Sequence, residues 1–419
     1  MTMDEDGGLL LSSRAVGDVL VAAVHEAGGT LLRWRMDHVD HQPGRGTTAT
    51  YRAHVAWDWG EATEIVGVTA RVGGADAGDR ASERVYHDAE GHEVTVWIYP
   101  ADPELPGLAS AAYAEGVAEL VNDHGLWIPQ GGALAGKRPY VSPGDIRLDV
   151  VGYRPRQRAV LRADVHVGEE MRRFYLKVQT AEEAIQTVGQ HRLLRGAGIP
   201  APEVLALTED SVVVLEGLPG RPLTSALFRE DFPCSAEELI AVLDAFPPVV
   251  ARLPRRLPWT ESVHYYVGVV ARALPELEPR LLWLADQVSQ GLAGLPAGEE
   301  ATHGDFHEGQ VHVSGGRVCG ILDIDAIGPG RRADDLGCLL AHLSTIQRMD
   351  AAQAAHLQGL LEAWTPVFDR RVDPTELRLR AAGVAISLAT GPHRSQEAQW
   401  REETIAIISA AEALVRQSG

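Results

Sequence analysis

Cysteine is scarce in this chain of 419 residues. The three present, Cys234, Cys319 and Cys338, are odd in number and share no paired spacing. That excludes a disulfide framework and leaves each as a small apolar filler in a reducing compartment. Positive charge is also short, with 38 Lys and Arg against 58 Asp and Glu and a formal net charge of -20. Such a field repels phosphate backbones, which argues against a nucleic-acid partner, and favours a cationic small molecule. No apolar run reaches membrane-spanning length, and the opening MTMDEDGG is acidic where a signal peptide would be basic. The expectation is a cytoplasmic protein with no membrane partner.

What is there reads as globular. Hydrophobic content is 45% and charged content 23%, ordinary values for a soluble chain, and the length calls for about two or three domains. Ser13 precedes Ala15, Val16, Val19, Leu20 and Ala23, a three-and-four spacing that predicts a helix ending near Gly28-Gly29. Strand-forming runs follow at Thr30 to Val39, Thr47 to Trp57, Thr63 to Val72, Arg84 to Tyr86 and Val94 to Tyr99, the last two around Glu90-Gly91. A Gly, Ala and Asp rich loop at Gly73 to Ala81 interrupts them, and Pro100 to Gly107 ends the module.

A helix over Ala111 to Val121 with Ser110 as N-cap, strands within Ile146 to Val178, a helix over Ala181 to Arg195 and a strand over Val212 to Glu216 come next. From Leu223 onward the pattern is helical: Ala236 to Phe246, Tyr266 to Leu274, Leu281 to Leu292, Leu336 to Ile346, Ala352 to Trp364, Thr375 to Leu388 and Glu402 to Arg416. The expected division is an α+β cap module (1-107), a strand-rich small lobe (108-217) and a helical large lobe (218-419). An internal echo links HQPGRGTTATYRAHV from His41 to YRPRQRAVLRADV from Tyr153 with two residues inserted. It is either a true repeat, whose first copy has Thr69 where the second has Lys177, or two independent Pro-Arg hairpins.

The most informative stretch runs from Thr302 to Gly337: THGDFHEGQVHVSGGRVCGILDIDAIGPGRRADDLG. Two β-branched runs, Val311 to Val313 and Val318 to Leu322, flank the turn Ser314-Gly315-Gly316 and predict a hairpin. Folding back brings Gln310 and Asp323 to one end of the ribbon, a few residues from Asp305. Two carboxylates and an amide oxygen converging there suit phosphoryl transfer, which needs a positioned hydroxyl, a metal ion and charge neutralisation. Asp305 would take or orient the hydroxyl proton, and Asp323 with Gln310 would hold Mg²⁺.

HGDFHEGQ, then ILDID, then Asp335-Leu336 resembles the aminoglycoside phosphotransferase and choline kinase superfamily, whose pattern is roughly HGDxHxxN, IDxx and DL. The resemblance covers about Val151 to Gln347. It implies an α+β, two-lobed protein-kinase-like fold, with a small β-rich N-lobe and a large mostly helical C-lobe, here preceded by the N-terminal α+β cap module. It implies Asp305 as catalytic aspartate, Asp323 as metal ligand, Asp335 as a buried brace for the catalytic loop, and ATP with Mg²⁺ as cofactors. Lys177, inside an apolar strand, would reach the α/β-phosphates, since a lysine there needs an anion. Glu183 would orient it, with Glu182 as runner-up, although neither falls at the family's usual spacing. Val212 to Gly220 looks like the hinge, with Leu215, Glu216 and Leu218 against the nucleotide.

Gln310 stands where most members have Asn; maltokinase-like sugar kinases are similar in having HGDxHxxQ and an extra N-terminal module. Between the first small-lobe strands stands Arg154-Pro155-Arg156-Gln157-Arg158 with no glycine, so guanidinium groups would replace a glycine-rich phosphate cradle, or the turn binds nothing. Arg331-Arg332 would touch phosphate or pair with Asp334. The expected reaction is phosphorylation of a hydroxyl on a small polar molecule, an aminoglycoside or amino sugar, with a neutral-sugar kinase as the alternative. A catalytically silent nucleotide-binding protein also fits. His303, Asp305, His307 and His312 could instead form a zinc or iron cluster of a hydrolase, though His303 reads better as a loop-fixing hydrogen-bond partner. Trp259, Glu261, Tyr265, Tyr266, Trp400 and Glu403 are too dispersed to assign to an acceptor pocket.

Overall fold

A computed structural model describes residues 6–73, 84–87, 93–128, 139–229 and 232–419. The loop predicted at Gly73 to Ala81, from residue 74 on, and the Glu90-Gly91 turn lie outside the described residues. The class is α+β, as expected, and the chain divides into two compact units. The first comprises 1–188, 204–217 and 394–396, the second 189–203, 218–393 and 397–419.

In the first unit, helix α1 (Val16–Glu26) buries Val16, Val19, Leu20, Ala23 and Val24, the predicted stripe with Val24 added and without Ala15, which lies exposed just before the helix. It covers a five-stranded antiparallel sheet of β1 (Thr30–Gln42), β2 (Gly46–Trp57), β3 (Gly60–Arg71), β4 (Arg84–His87) and β5 (Glu93–Ile98), in the order β1-β2-β3-β5-β4. Alternate residues of β2, namely Ala49, Tyr51, Ala53 and Val55, face that core, as the two-residue period of a strand requires.

The helix expected over Ala111 to Val121 is split into a short turn, Leu108–Ala111, and α2 (Ala114–Asp123). Ser110 caps nothing: its hydroxyl donates to Gly107 O at 3.1 Å and lies 3.0 Å from Asp210 Oδ2. The backbone at Tyr113 is extended (φ -123°, ψ 144°), which breaks the helix there.

A second five-stranded sheet comprises β6 (Ile146–Arg154), β7 (Arg158–Val167), β8 (Glu170–Val178), β9 (Val204–Leu207) and β10 (Val212–Glu216). Its order, β6-β7-β8-β10-β9, repeats that of the first. Ala159, Leu161, Ala163 and Val165 of β7 and Phe174, Leu176 and Val178 of β8 pack with Val117 and Val121 of α2. The opposite face carries Val213 and Leu215, which pack with Ala184 and Val188 of α3 (Ala181–Gly196). Lys177 belongs to this second face, one residue out of step with Leu176 and Val178.

The two sheets are tied together at the β6–β7 turn. Asp102 Oδ2 accepts from Tyr153 OH (2.7 Å) and from Arg156 N (2.8 Å), and Trp97 Nε1 donates to Tyr153 OH (2.9 Å). Arg156 adopts φ 62°, and its guanidinium donates to Glu104 at 2.8 Å. The turn read as a guanidinium phosphate cradle thus uses its central arginine to dock on the segment that ends the N-terminal module.

The second unit is mostly helical. Its helices are α4 (Ala236–Asp244), α5 (Val263–Ala273), α6 (Glu278–Gly291), α7 (Arg332–Ser344), α8 (Ala351–Arg371), α9 (Pro374–Leu388) and α10 (Trp400–Arg416). They enclose one apolar core that includes Phe306, Val311, Ile321, Leu336, Trp364, Phe368 and Ile408. Burying each of these large side chains contributes roughly 1.5–3 kcal/mol. Helix α8 runs seven residues past the predicted end, through Pro366. One missing hydrogen bond there is outweighed by the burial of Trp364 and Phe368 on the same face. β11 (Arg221–Pro222), β13 (Val311–Ser314) and β14 (Arg317–Ile321) form a small sheet, and β12 (Glu300–Thr302) pairs with β15 (Gly328–Gly330).

Candidate active site

The predicted hairpin forms. Val311 stands opposite Ile321, and Leu322 N donates to Gln310 O at 2.8 Å. This register sets Gln310 beside Asp323, with the terminal amide of Gln310 3.5 Å from Asp323 Oδ2. Asp323 sits at φ 49°, ψ 50°, a left-handed conformation uncommon for a residue other than glycine.

His307 joins this pair to Asp305. Its Nδ1 accepts from Gly309 N (3.1 Å), so its proton lies on Nε2, which faces the Gln310 amide at 3.1 Å. The same amide nitrogen faces His307 Nε2 and donates to Asp323 Oδ2. Turned about its last side-chain bond, the amide would set its oxygen beside that carboxylate, a donor pair for a hard divalent cation.

The loop carrying Asp305 is braced from three directions. His303 Nδ1 accepts from Asp305 N (3.3 Å), which leaves its Nε2–H to donate to Leu322 O (2.9 Å), one residue before Asp323. Asp335 Oδ2 accepts from His303 N (3.1 Å) and Oδ1 from Gly304 N (2.9 Å). Gly304 has φ +82°, and a Cβ there would lie 2.5 Å from Ala326 O, so only glycine fits.

Asp335 is 0% exposed. Burial pushes its carboxyl above the usual carboxylate range, opposed by the Arg332 guanidinium and the two amide donors. Arg332 donates to Asp335 (2.7 Å), Asp244 (3.1 Å) and the carbonyls of Leu243 and Ala301 (both 3.0 Å). Arg331 pairs with Glu376, while Asp334 pairs with Arg380. Asp334 accepts from Arg331, but from its backbone N at 3.0 Å; the guanidiniums of Arg331 and Arg332 hold Glu376, Asp335 and Asp244.

The four-residue metal set does not assemble. His303 is committed to Leu322, and His312 Nδ1 lies 3.0 Å from Pro219 O. The structure instead brings Asp305, His307 and His342 together, with one polar atom of each within 4.8 Å of the others. His342 was not singled out from the sequence. Its signal was the four-residue spacing from Cys338 along α7, which puts both on the side of Asp305; Cys338 Sγ is 3.7 Å from Asp305 Oδ1. The rings of His307 and His342 stack at 4.0 Å. Glu308 lies beside them, 3.8 Å from each Nδ1, and its buried Oε2 has no hydrogen-bond partner among the described residues.

Burial, reinforced by His307, pushes His342 down from 6.5 to about 3. Between those values the unfolded chain binds a proton that the folded chain does not, so stability falls as pH falls through that window, by at most about 1.4 kcal/mol per pH unit. Glu308, raised by burial, acts oppositely: it stabilises the fold as pH falls toward the ordinary carboxylate range. Urea unfolding of wild type, His342→Gln and Glu308→Gln between pH 7 and pH 4 is expected to show a flatter acid branch for His342→Gln and a steeper one for Glu308→Gln.

In the first unit, Lys177 is 5% exposed, and its backbone lies between Val160 and Val213 of the neighbouring strands. It is one of two lysines in the sequence, the other being Lys137. Glu183 stands at the exposed start of α3, where its carboxylate accepts from the Thr180 hydroxyl at 3.0 Å. Leu215 is buried against α3, and Glu216 takes Arg172 at 3.1 Å. Leu218, in the second unit, packs over Gly320, where a Cβ would approach its Cδ1 to 2.6 Å. Of the dispersed acceptor-pocket residues, Glu403 is held by Arg348 at 2.7 Å and Glu261 by Arg255.

The first unit holds a lysine buried in a strand, and the second a hairpin that sets an amide beside a carboxylate. The sequence model of the phosphotransferase enzyme family matches residues 154–372, just over half of the chain, and the chain belongs to that family. Solved structures it resembles include a thermostable mutant of aminoglycoside phosphotransferase APH(4)-Ia in its apo form (15% identity, 65% of this chain and 95% of that one, TM-score 0.47). Others are choline kinase from Cryptosporidium parvum Iowa II (10% identity, 72% and 94%, TM-score 0.47) and a choline/ethanolamine kinase family protein from Mesorhizobium loti (20% identity, 71% and 94%, TM-score 0.45). No curated protein matches the sequence. Among the described residues no helix is long and apolar enough to cross a membrane.

Proposed function

We propose that this phosphotransferase moves the γ-phosphoryl group of ATP to a hydroxyl of a small polar molecule, an aminoglycoside or amino sugar. The observation that carries the reading is the hairpin register that sets Gln310 beside Asp323, with His307 linking them to Asp305. In this reading Asp305 accepts or orients the acceptor's hydroxyl proton, Lys177 neutralises the α/β-phosphates, and Gln310 and Asp323 hold Mg²⁺. Bound there, Mg²⁺ would supply charge neutralisation of the phosphates. His303 and Asp335 act by positioning, since their hydrogen bonds fix the backbone on either side of Asp305. Leu215, Glu216 and Leu218 are the proposed nucleotide contacts, Glu183 is the proposed residue that orients Lys177, and the proposed division is 1-107, 108-217 and 218-419.

The substrate class is tested by labelled ATP with a panel of aminoglycosides, amino sugars, neutral sugars including maltose, and choline. Transfer to a cationic acceptor with at least about tenfold preference over its neutral analogue supports the amino-sugar reading, while preference for maltose selects the neutral-sugar alternative. Lys177→Ala is expected to raise the KM for ATP about tenfold or more, the scale of losing one charge-assisted contact. Steady-state kinetics at varied ATP checks this, and an unchanged KM and kcat would remove Lys177 from the nucleotide site.

A further inference from the structure

Helix α7 presents two side chains to the loop of Asp305, one turn apart. Cys338 Sγ lies 3.7 Å from Asp305 Oδ1, and the His342 ring stacks on that of His307 with centroids 4.0 Å apart and 7° between planes. The helix is a firm support, as side chains carried on packed helices are more precisely placed than those on loops. It buries Leu336, Leu339, Leu340, Ala341 and Leu343, and Arg332 in its first turn is tied to Asp335 and Asp244.

What His342 contributes is the face of its ring. Its nitrogens make no hydrogen bond with a described residue, and Glu308 Oε2, 3.8 Å from the Nδ1 of each ring, is beyond hydrogen-bond reach of both. His307 carries the polar contacts on its edge: Nδ1 accepts from Gly309 N, and Nε2 faces the Gln310 amide, each at 3.1 Å. Turning the His307 ring about its Cβ–Cγ bond would break both contacts and sweep through the space that a parallel ring 4.0 Å away fills. Gly309 confines the Nδ1 edge, where a Cβ would lie 2.8 Å from His307 Cε1. His342 thus holds His307 in one orientation, and that orientation sets the amide that stands 3.5 Å from Asp323 Oδ2.

We propose that His342 is a positioning residue for the metal side of the site, acting through the His307 ring on Gln310. The inference rests on the reading of Gln310 and Asp323 as the Mg²⁺ pair, and it adds a residue that lies outside the motifs. Stacking of two rings has the scale such a role needs, changing an equilibrium by about two- to tenfold.

Mn²⁺ serves as the probe, added to the full chain with AMP-PNP and followed by electron paramagnetic resonance, which reads the site without turnover. Wild type is expected to bind it and Asp323→Ala to lose it. His342→Ala is expected to weaken Mn²⁺ about three- to tenfold, while His342→Phe, which keeps a flat ring, stays within about twofold of wild type. His342→Leu fills the space without a flat ring and should resemble His342→Ala, so it carries the test if the alanine variant does not fold. In turnover, the Mg²⁺ concentration for half-maximal rate should rise by the same factor in His342→Ala, with kcat at saturating Mg²⁺ within about twofold. Loosened packing alone would lower kcat at every Mg²⁺ concentration. Adding His342→Ala to His307→Ala should cost nothing further, because the one residue acts through the other. Undiminished Mn²⁺ affinity in His342→Ala and His342→Leu, a loss in His342→Phe as large as in His342→Ala, or additive losses in the double variant would overturn the inference. Those outcomes leave the metal pair standing. Mn²⁺ binding that is absent from wild type, or indifferent to Asp323→Ala, would instead remove the pair and this inference with it.

Discussion

Asp305→Asn is expected to lower kcat by about 10²–10⁴-fold, the range associated with removing a positioned general base. The KM for ATP should stay within about twofold, because the carboxylate is assigned to the acceptor hydroxyl and not to the nucleotide. The substitution is nearly isosteric, and the loop around it is fixed by other groups: His303 takes Asp305 N, and Asp335 holds the two preceding amides. Unfolding free energy should therefore move by less than about 1 kcal/mol, as for an exchange away from packing and buried pairs. Single-turnover transfer, nucleotide titration and urea unfolding on one preparation check all three. Retained turnover on the true acceptor would remove Asp305 from the chemistry.

Asp335→Ala is expected to have the largest effect on stability, about 3–5 kcal/mol, the cost of breaking a buried ion pair from one side. Arg332, 3% exposed, would lose its 2.7 Å partner while remaining inside the protein. The amides of His303 and Gly304 would lose their acceptor at the same time. Asp335→Asn is the informative companion. It keeps one acceptor oxygen but removes the charge, so it should recover part of the stability and leave Asp305 less well placed. Urea unfolding of both variants, with kcat and KM for the surviving folded protein, tests this. Stability of Asp335→Ala within about 1 kcal/mol of wild type would refute the brace.

Much of the site was legible because its signals are local. A strand period of two and a Gly-containing turn fix a hairpin register, and that register alone puts Gln310 beside Asp323. Lys177 stood out because a charged residue inside the apolar run Phe174-Tyr175-Leu176-Lys177-Val178 cannot be explained by burial of apolar surface. Partners supplied from distant segments were not legible. Arg331 and Arg332 looked like free cations near phosphate, yet Glu376 and Asp244, which take them, lie far away in sequence. Arg156 looked like a substitute phosphate cradle until Asp102 and Glu104 were brought to it. His342 carries no signal beyond its four-residue spacing from Cys338, and only the docking of α7 puts its ring against His307.

The sequence by itself determined the elements, the β13–β14 register, the kind of chemistry its carboxylates suit, and the membership of a phosphotransferase family that those residues imply. The elements and the register follow from periodicity or from spacing within a few tens of residues, where chain geometry leaves little choice; the family follows from the match of the chain to that family's sequence model. The tertiary structure alone decided which arginines are consumed by the fold, which histidines meet Asp305, and that the first sheet repeats the strand order of the second. Those outcomes depend on which charges meet across long separations. Ion pairs and cavities are set by the packing of whole elements, and residue spacing carries no record of that.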